Sequence, residues 1–208
     1  MAETTDCAAL VLAAGAGTRM KSSTQKTLHE IGGRSLLGHA LHAAAGLNPQ
    51  HLVVVVGHQR DQVSPAVEAI AQELNCEVSQ AVQEEQNGTG HAVQCGLTAL
   101  PDFTGTVIVT NGDVPLLRPE TLRQLHEAHT SQGNAVTVLS MSLEDPTGYG
   151  RVLRAEDGSV TAIVEQKDAT EEQRAVREVN SGVFAFDGAV LRDCLLYTSD
   201  AADEEDSV

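Results

Sequence analysis

The sequence predicts an α/β protein built on a doubly wound, mostly parallel sheet with a small β-rich cover. Three features carry that expectation. Apolar runs of strand length alternate with helical patterns from Ala8 to Leu143. Those runs are continuously apolar, the pattern of strands covered on both faces. Beyond Leu143 the rhythm changes to short segments around Glu156-Asp157-Gly158, and Asp-Gly between such segments is a hairpin signal.

The elements follow in order. Residues 8–13 form the first strand, followed by a Gly-rich loop. Residues 36–47 have helical spacing, and residues 51–56 are a strand of almost pure valine. Residues 61–74 repeat Val63, Val67, Ile70 and Leu74 at helical intervals, and 77–82 is a short strand. An Ala/Leu/Val helix over 90–100 is closed by Pro101. Then come a strand over 106–110, a helix over 119–130 and a strand over 135–143. Right-handed crossovers between parallel strands make this doubly wound. Residues 150–155 and 159–164 pair as the hairpin, 168–177 is a polar, helical connection, and 179–186 is a last strand. This second half reads as a cover beside the sheet, within one domain over residues 7–195. Residues 196–208 lack periodicity and carry five acids (Asp200, Asp203, Glu204, Glu205, Asp206), and so read as a solvated, disordered tail.

Composition narrows the function. The chain has 208 residues, 41% of them hydrophobic, enough for a sizeable core. Its 13 basic residues against 29 acidic ones give a net charge of −16, so no basic face is available for nucleic acid. Aromatics are only 2%, with no Trp, which argues against base-stacking platforms. No apolar run approaches the roughly 18–20 residues that span a bilayer. With an acidic start at Met1–Asp6, a soluble cytoplasmic protein is expected. The four cysteines form no Cys-x-x-Cys pair, and Cys7 and Cys95 read as small hydrophobes. His39 and His42 lack a third ligand for zinc, and no Gly-x-Ser-x-Gly elbow is present.

In an open α/β sheet, ligands sit at the carboxyl ends of the strands, where strand order reverses. The loop after the first strand is Leu12-Ala13-Ala14-Gly15-Ala16-Gly17-Thr18-Arg19-Met20-Lys21. Its paired glycines let backbone N–H groups approach a phosphate. Met20 replaces the third glycine of a dinucleotide fingerprint, and no phosphate-loop ATPase motif is present. Between Gly15 and Arg34 stand Arg19, Lys21, Lys26 and Arg34 against one acid, Glu30, so a polyphosphate belongs here. After the third strand, Gln83 and the Gly88-Thr89 backbone suit the edge of a nucleobase such as uracil. A plain turn with Thr89 as helix N-cap fits those residues about as well. Asp113, in Asn111-Gly112-Asp113-Val114-Pro115, could shape a turn. Opposite a cationic loop it reads better as a Mg²⁺ ligand, because Mg²⁺ is content with one or two carboxylates plus substrate phosphates.

Together LAAGAGTRMKSSTQKTL, QEEQNGTGHA, NGDVPLL, DPTGYGRVLR, IVEQKDAT and EVNSGVFAFD resemble the sugar nucleotidyltransferases, from about Cys7 to Cys194. The match is nearest to the uridylyltransferase domain of the bacterial bifunctional N-acetylglucosamine-1-phosphate uridylyltransferases / glucosamine-1-phosphate acetyltransferases. The resemblance implies a Rossmann-like nucleotidyltransferase fold and a cytoplasmic step toward cell-wall precursors. UMP passes from UTP to N-acetylglucosamine 1-phosphate, giving UDP-N-acetylglucosamine and pyrophosphate, with Mg²⁺ as cofactor. It places Leu12, Ala13, Ala14 and Gly15 on the nucleotide, with Arg19 and Lys26 on its phosphates. Gln83, Gly88 and Thr89 would read uracil, Asn111 and Gly112 would line the ribose, and Asp113 would hold the metal. Arg19, Lys26 and Asp113 form the implied catalytic set, while Gly150, Glu165 and Asn180 would hold the sugar.

Without the family, Glu165 reads as a solvated acid beside Lys167 and Gly150 as a turn, whereas Asn180 is an odd polar residue at the head of an apolar strand. Gln25 stands where the family usually has proline, and Asn111 occupies a variable position. The resemblance stops near Leu195, before the family's second metal ligand (an asparagine) and before the β-helix through which full-length relatives trimerise. A truncated domain, impaired in catalysis and without acetyltransferase activity, is therefore expected. The partners implied are small molecules, with neither nucleic acid nor membrane. A molybdenum-cofactor guanylyltransferase, another sugar-1-phosphate enzyme, or a nucleotide-binding fragment are the alternatives.

Overall fold

A computed structural model describes residues 5–15, 17, 20–57 and 59–195. In chain order the elements are β1 (Thr5–Leu12), β2 (Glu30–Ile31), β3 (Arg34–Ser35), α1 (Leu36–Ala45), β4 (Pro49–Val56), α2 (Arg60–Leu74), β5 (Ser79–Val82), α3 (Gly88–Leu97), β6 (Thr106–Asn111) and α4 (Pro119–Gln132). Then follow β7 (Val136–Ser142), β8 (Arg151–Arg154), β9 (Val160–Val164), α5 (Glu171–Arg174) and β10 (Glu178–Asp187), with residues 188–195 helical. The chain divides into two compact units, one of Met1–Thr137 with Ala185–Val208, the other of Val138–Phe184.

In the first unit β5, β4, β1 and β6 lie side by side in that order, all parallel. Successive β1 side chains point to opposite faces, as the pleat requires. Ala9 and Val11 join α1 and α2 in one core cluster, while Ala8 and Leu10 join α3 and Leu191 in the other. This is the doubly wound arrangement expected from the continuously apolar strands. The chain leaves β1 for β4 on one side and later returns to β6 on the other, so strand order reverses at β1. Leu12 pairs with Val55 and with Asn111, and Val56 pairs with Val82, which brings the carboxyl ends of the four strands into line.

Local chemistry sets the boundaries. Ser35 caps α1, its hydroxyl accepting from Gly38 N at 3.0 Å. Pro119 opens α4, which ends on Gly133 at φ +61°. β1 starts three residues before the apolar run, because Thr5 N donates to Asn48 O at 2.9 Å. Gly32 and Gly33, both at positive φ, close a tight β2–β3 hairpin. That hairpin, the 3₁₀ turn at Lys26–Leu28 and the helix over 188–195 add to the elements expected.

In the second unit β8 pairs antiparallel with β9 and with β10, and β7 also pairs with β10. The Asp-Gly signal marks the β8–β9 turn, with Gly158 at φ +84° and Ala155 N donating to Ser159 O. Only Glu171–Arg174 of the polar connection is helical, started by a Thr170/Gln173 capping box. No helix among the described residues is long and apolar enough to cross a membrane. The expected acidic tail, 196–208, lies outside the described residues.

Candidate functional site

At the carboxyl ends of β1, β5 and β6 the first unit holds a cavity of about 470 Å³. Leu12, Ala13, Ala14, Gly15, Lys26, Gln83, Gly88, Thr89, Asn111 and Asp113 all line it. Residues spread over a hundred positions thus converge where the switch-point rule puts a ligand. Gly112 stands behind them, its N–H donating to Leu12 O at 2.8 Å, and an added Cβ would lie 3.2 Å from that same oxygen. Arg19 lies outside the described residues. Gly17, Met20, Thr27, Gln86 and Ala92 complete the lining. Gly17 belongs to the glycine pair already noted in the sequence, whereas nothing in the spacing of the other four singles them out.

The loop after β1 has a tightly held backbone. Ala13 N donates to Val55 O at 2.8 Å, continuing the β1–β4 ladder by one residue. Gly17 has φ +60°, and an added Cβ there would stand 2.6 Å from the Lys26 Cβ. A glycine at this point lets the 3₁₀ turn close over the loop and carries Lys26 into the cavity. There the Lys26 ammonium pairs with the Asp113 carboxylate, delivered by the loop after β6. These two are the only charged groups among the described residues lining the cavity.

On the opposite wall, Gln83 is buried, its N–H held by Val56 O and its side-chain Nε2 donating to Gly88 O at 3.0 Å. Gly88 has φ +94° and begins α3. The helix N-cap is Asn87, without a side-chain cap bond, so Thr89 is not the cap. The uncapped, positive end of α3 presents Gly88 and Thr89 to the cavity.

A divalent metal is the cofactor the sequence implies. No cluster of three or more His, Cys, Asp or Glu among the described residues could cage one. Asp113 is the one carboxylate among the described residues lining the cavity, and it is paired with Lys26. That donor set fits an ion completing its shell with substrate oxygens and water.

Gly150, Glu165 and Asn180 come together within the second unit. Asn180 N donates to Gly150 O at 2.8 Å, and a Cβ on Gly150 would lie 3.0 Å from Glu165 Oε1. Glycine at 150 thus keeps the face of that carboxylate open. The Asn180 side-chain oxygen accepts from Gly182 N at 2.8 Å, which fixes the amide and accounts for a polar residue in an apolar strand. Arg151 beside them is buried, with its guanidinium donating to Tyr149 O and to Gln166 Oε1.

The chain is 90% identical over 195 residues to the bifunctional protein GlmU of Corynebacterium aurimucosum, covering 94% of this chain and 40% of that one. It is 68% identical over 188 residues to the GlmU of Corynebacterium diphtheriae, covering 90% of this chain and 39% of that one. The chain therefore spans about 40% of the length of the curated relatives it matches. The fold superposes with TM-score 0.73 on UDP-glucose pyrophosphorylase complexed with UDP-glucose, at 18% identity, covering 90% of this chain and 78% of that one. The apo form of a UDP-glucose pyrophosphorylase gives the same TM-score at 17% identity, covering 91% and 79%. Residues 9–179, which carry the residues lining the cavity together with Gly150 and Glu165 and end one residue before Asn180, match the MobA-like NTP transferase domain, and the chain belongs to that family.

Proposed function

We propose that this domain transfers UMP from UTP to N-acetylglucosamine 1-phosphate, releasing pyrophosphate and forming UDP-N-acetylglucosamine. The observation that carries this reading is the cavity at the carboxyl ends of β1, β5 and β6. It joins an anion-ready loop, a Lys26–Asp113 pair and a buried glutamine beside an uncapped helix end. High identity to proteins named GlmU supports it.

The chemistry asks for no general base, since the attacking sugar-phosphate oxygen is already ionised at neutral pH. That oxygen forms a bond to the α-phosphorus as the bond to pyrophosphate breaks, and positioning and charge neutralisation supply the rate. Backbone N–H groups at Ala14 and Gly15 hold phosphate oxygens, with Arg19 and Lys26 as the cationic partners. Lys26, paired with Asp113 at the cavity wall, stands where it can reach those phosphates. Mg²⁺ on Asp113 would neutralise developing negative charge. Gln83, Gly88 and Thr89 read the uracil edge, and Asn111 with Gly112 borders the ribose. Gly150, Glu165 and Asn180 accept and donate hydrogen bonds to the sugar. The partners are small molecules of the cytoplasm, and the net charge of −16 gives nucleic acid no footing.

The family description names a nucleoside triphosphate without specifying its base, which leaves guanylyl transfer as the second reading. One assay separates the two: pyrophosphate release with N-acetylglucosamine 1-phosphate in the presence of UTP or GTP, with the product identified by chromatography. UTP-dependent formation of UDP-N-acetylglucosamine supports uridylyl transfer. Equal or faster turnover of GTP would replace it with guanylyl transfer.

A further inference from the structure

Three successive carbonyls of the loop after β1 end on glutamine side chains. Gln25 Nε2 donates to Ala13 O at 3.3 Å and to Gly15 O at 3.0 Å. Gln86 Nε2 donates to Ala14 O, between them, at 2.9 Å. Gln25 is only 3% exposed, and its other amide atom is also used, with Oε1 accepting from Thr27 N at 2.6 Å and from Thr27 Oγ1. The orientation of the amide follows from this network, because reversing it would set an oxygen against two carbonyls. Its backbone N donates to Gln62 Oε1 at 3.1 Å, and Gln62 Nε2 donates to Ser23 O at 3.2 Å, which braces the segment on α2.

A loop that binds an anion through backbone N–H groups must turn its carbonyls elsewhere and satisfy them there. A carbonyl left unsatisfied rotates toward whatever donor is near, and the N–H groups of the same peptides rotate with it. We propose that Gln25 is a positioning residue for the nucleotide phosphates. It clamps the carbonyls of Ala13 and Gly15 so that the intervening N–H groups face the cavity, and Gln86 holds the carbonyl between. Gln25 touches no phosphate itself. Its next neighbour in sequence, Lys26, does reach the cavity, so one turn of chain both aims the loop and supplies the cation. The inference rests on the reading of this cavity as a nucleotide site.

The test compares the unmodified protein with Gln25→Met, Gln25→Glu and Gln86→Ala. Methionine keeps the volume and removes every hydrogen bond. Glutamate keeps the acceptor for Thr27 but faces the loop carbonyls with negative charge. Binding of UTP and of uridine, which lacks phosphates, is measured by calorimetry and by competition, alongside thermal melting. Two lost hydrogen bonds on the loop should weaken UTP binding by about tenfold in Gln25→Met and further in Gln25→Glu, with uridine affinity changed less than about twofold. The exposed Gln86→Ala, which leaves the core intact, should show the same phosphate-specific loss at a smaller size. Combined with Gln25→Met, it should be non-additive for UTP affinity yet additive for melting temperature. Equal loss of UTP and uridine binding would make Gln25 a general structural residue and overturn the proposal. So would UTP affinity within about twofold of the unmodified protein in all variants. Failure of the unmodified protein to bind UTP at all would remove the nucleotide reading, and this inference with it.

Discussion

Gly57→Ala is the most demanding test of how the loop after β1 is held. Gly57 follows β4, and a Cβ built on it would lie 2.5 Å from Ala14 O, 2.9 Å from Ala14 Cα and 3.0 Å from Ala14 Cβ. None of these atoms can swing aside as the end of a long side chain would. Reaching an ordinary carbon–oxygen contact of about 3.3 Å requires a shift of roughly 0.8 Å. Overpacking of this kind costs about 1–3 kcal/mol. For a chain of this size each kcal/mol lowers the melting temperature by about 2–4 °C. The expected drop is therefore about 2–12 °C. The displaced atom belongs to the middle peptide of the phosphate-facing loop, already pinned by Gln86 on its carbonyl. Misplacements near 1 Å cost on the order of a hundredfold where geometry decides the outcome. UTP affinity should therefore fall by at least about tenfold, measured by calorimetry well below the new melting point. A variant with unchanged melting temperature and unchanged UTP affinity would show that Ala14 is not packed against Gly57 as described.

Three further outcomes follow. Asp113→Asn removes the one carboxylate among the described residues lining the cavity, so the fold should persist while the magnesium dependence of nucleotide binding disappears, as a titration of UTP with and without Mg²⁺ would show. Glu178 is held at a pKa of about 2, below its ordinary 4.5, first by hydrogen bonding from the Arg154 guanidinium and then from Ser140. A depressed carboxyl pKa stabilises the fold above about pH 4.5 and loses that contribution as pH falls toward 2. Solvent at the half-exposed Arg154 holds the net to about 1 kcal/mol, so Glu178→Gln should be less stable by that amount near pH 7 and converge with the unmodified protein near pH 2, read by urea unfolding against pH. Burial, and then the charge of Asp6, push the Cys7 thiol up to about 12, so a thiol reagent at pH 8 should modify exposed Cys194 and leave Cys7 untouched in the folded protein, as mass spectrometry of the peptides would show.

The sheet was legible because parallel strands announce themselves: Val53–Val56 and Leu10–Leu12 are apolar on both faces and can only be buried on both. The site was legible because such a sheet puts its ligand loops at one edge, and Gly15, Gln83, Gly88 and Asp113 all follow strands. What escaped reading depends on approach between distant backbones. Gln25 stood out only as a replacement for the family's usual proline, and its use appears only once the chain folds Ala13 and Gly15 back over it. Gly57 drew no reading from the sequence, because its close approach to Ala14 exists only in the fold. Gly17 was read as one of a glycine pair that lets the backbone approach a phosphate, and the nearness of the Lys26 Cβ adds a second reason for glycine there. Thr89 as a possible cap failed because the helix starts two residues earlier than expected, at Gly88, where a positive φ suits glycine. Long-range contacts of single residues leave no periodic trace in a sequence, whereas burial does.

The central claim is that the cavity at the carboxyl ends of β1, β5 and β6 binds a uridine nucleotide. Calorimetric titration of the protein with UTP, ATP and GTP in magnesium buffer tests it most directly. A site built on one base edge leaves polar groups unpaired with another base, so UTP should bind at least about tenfold more tightly than ATP or GTP. Equal affinity for the three nucleotides, or tighter binding of GTP, would contradict it.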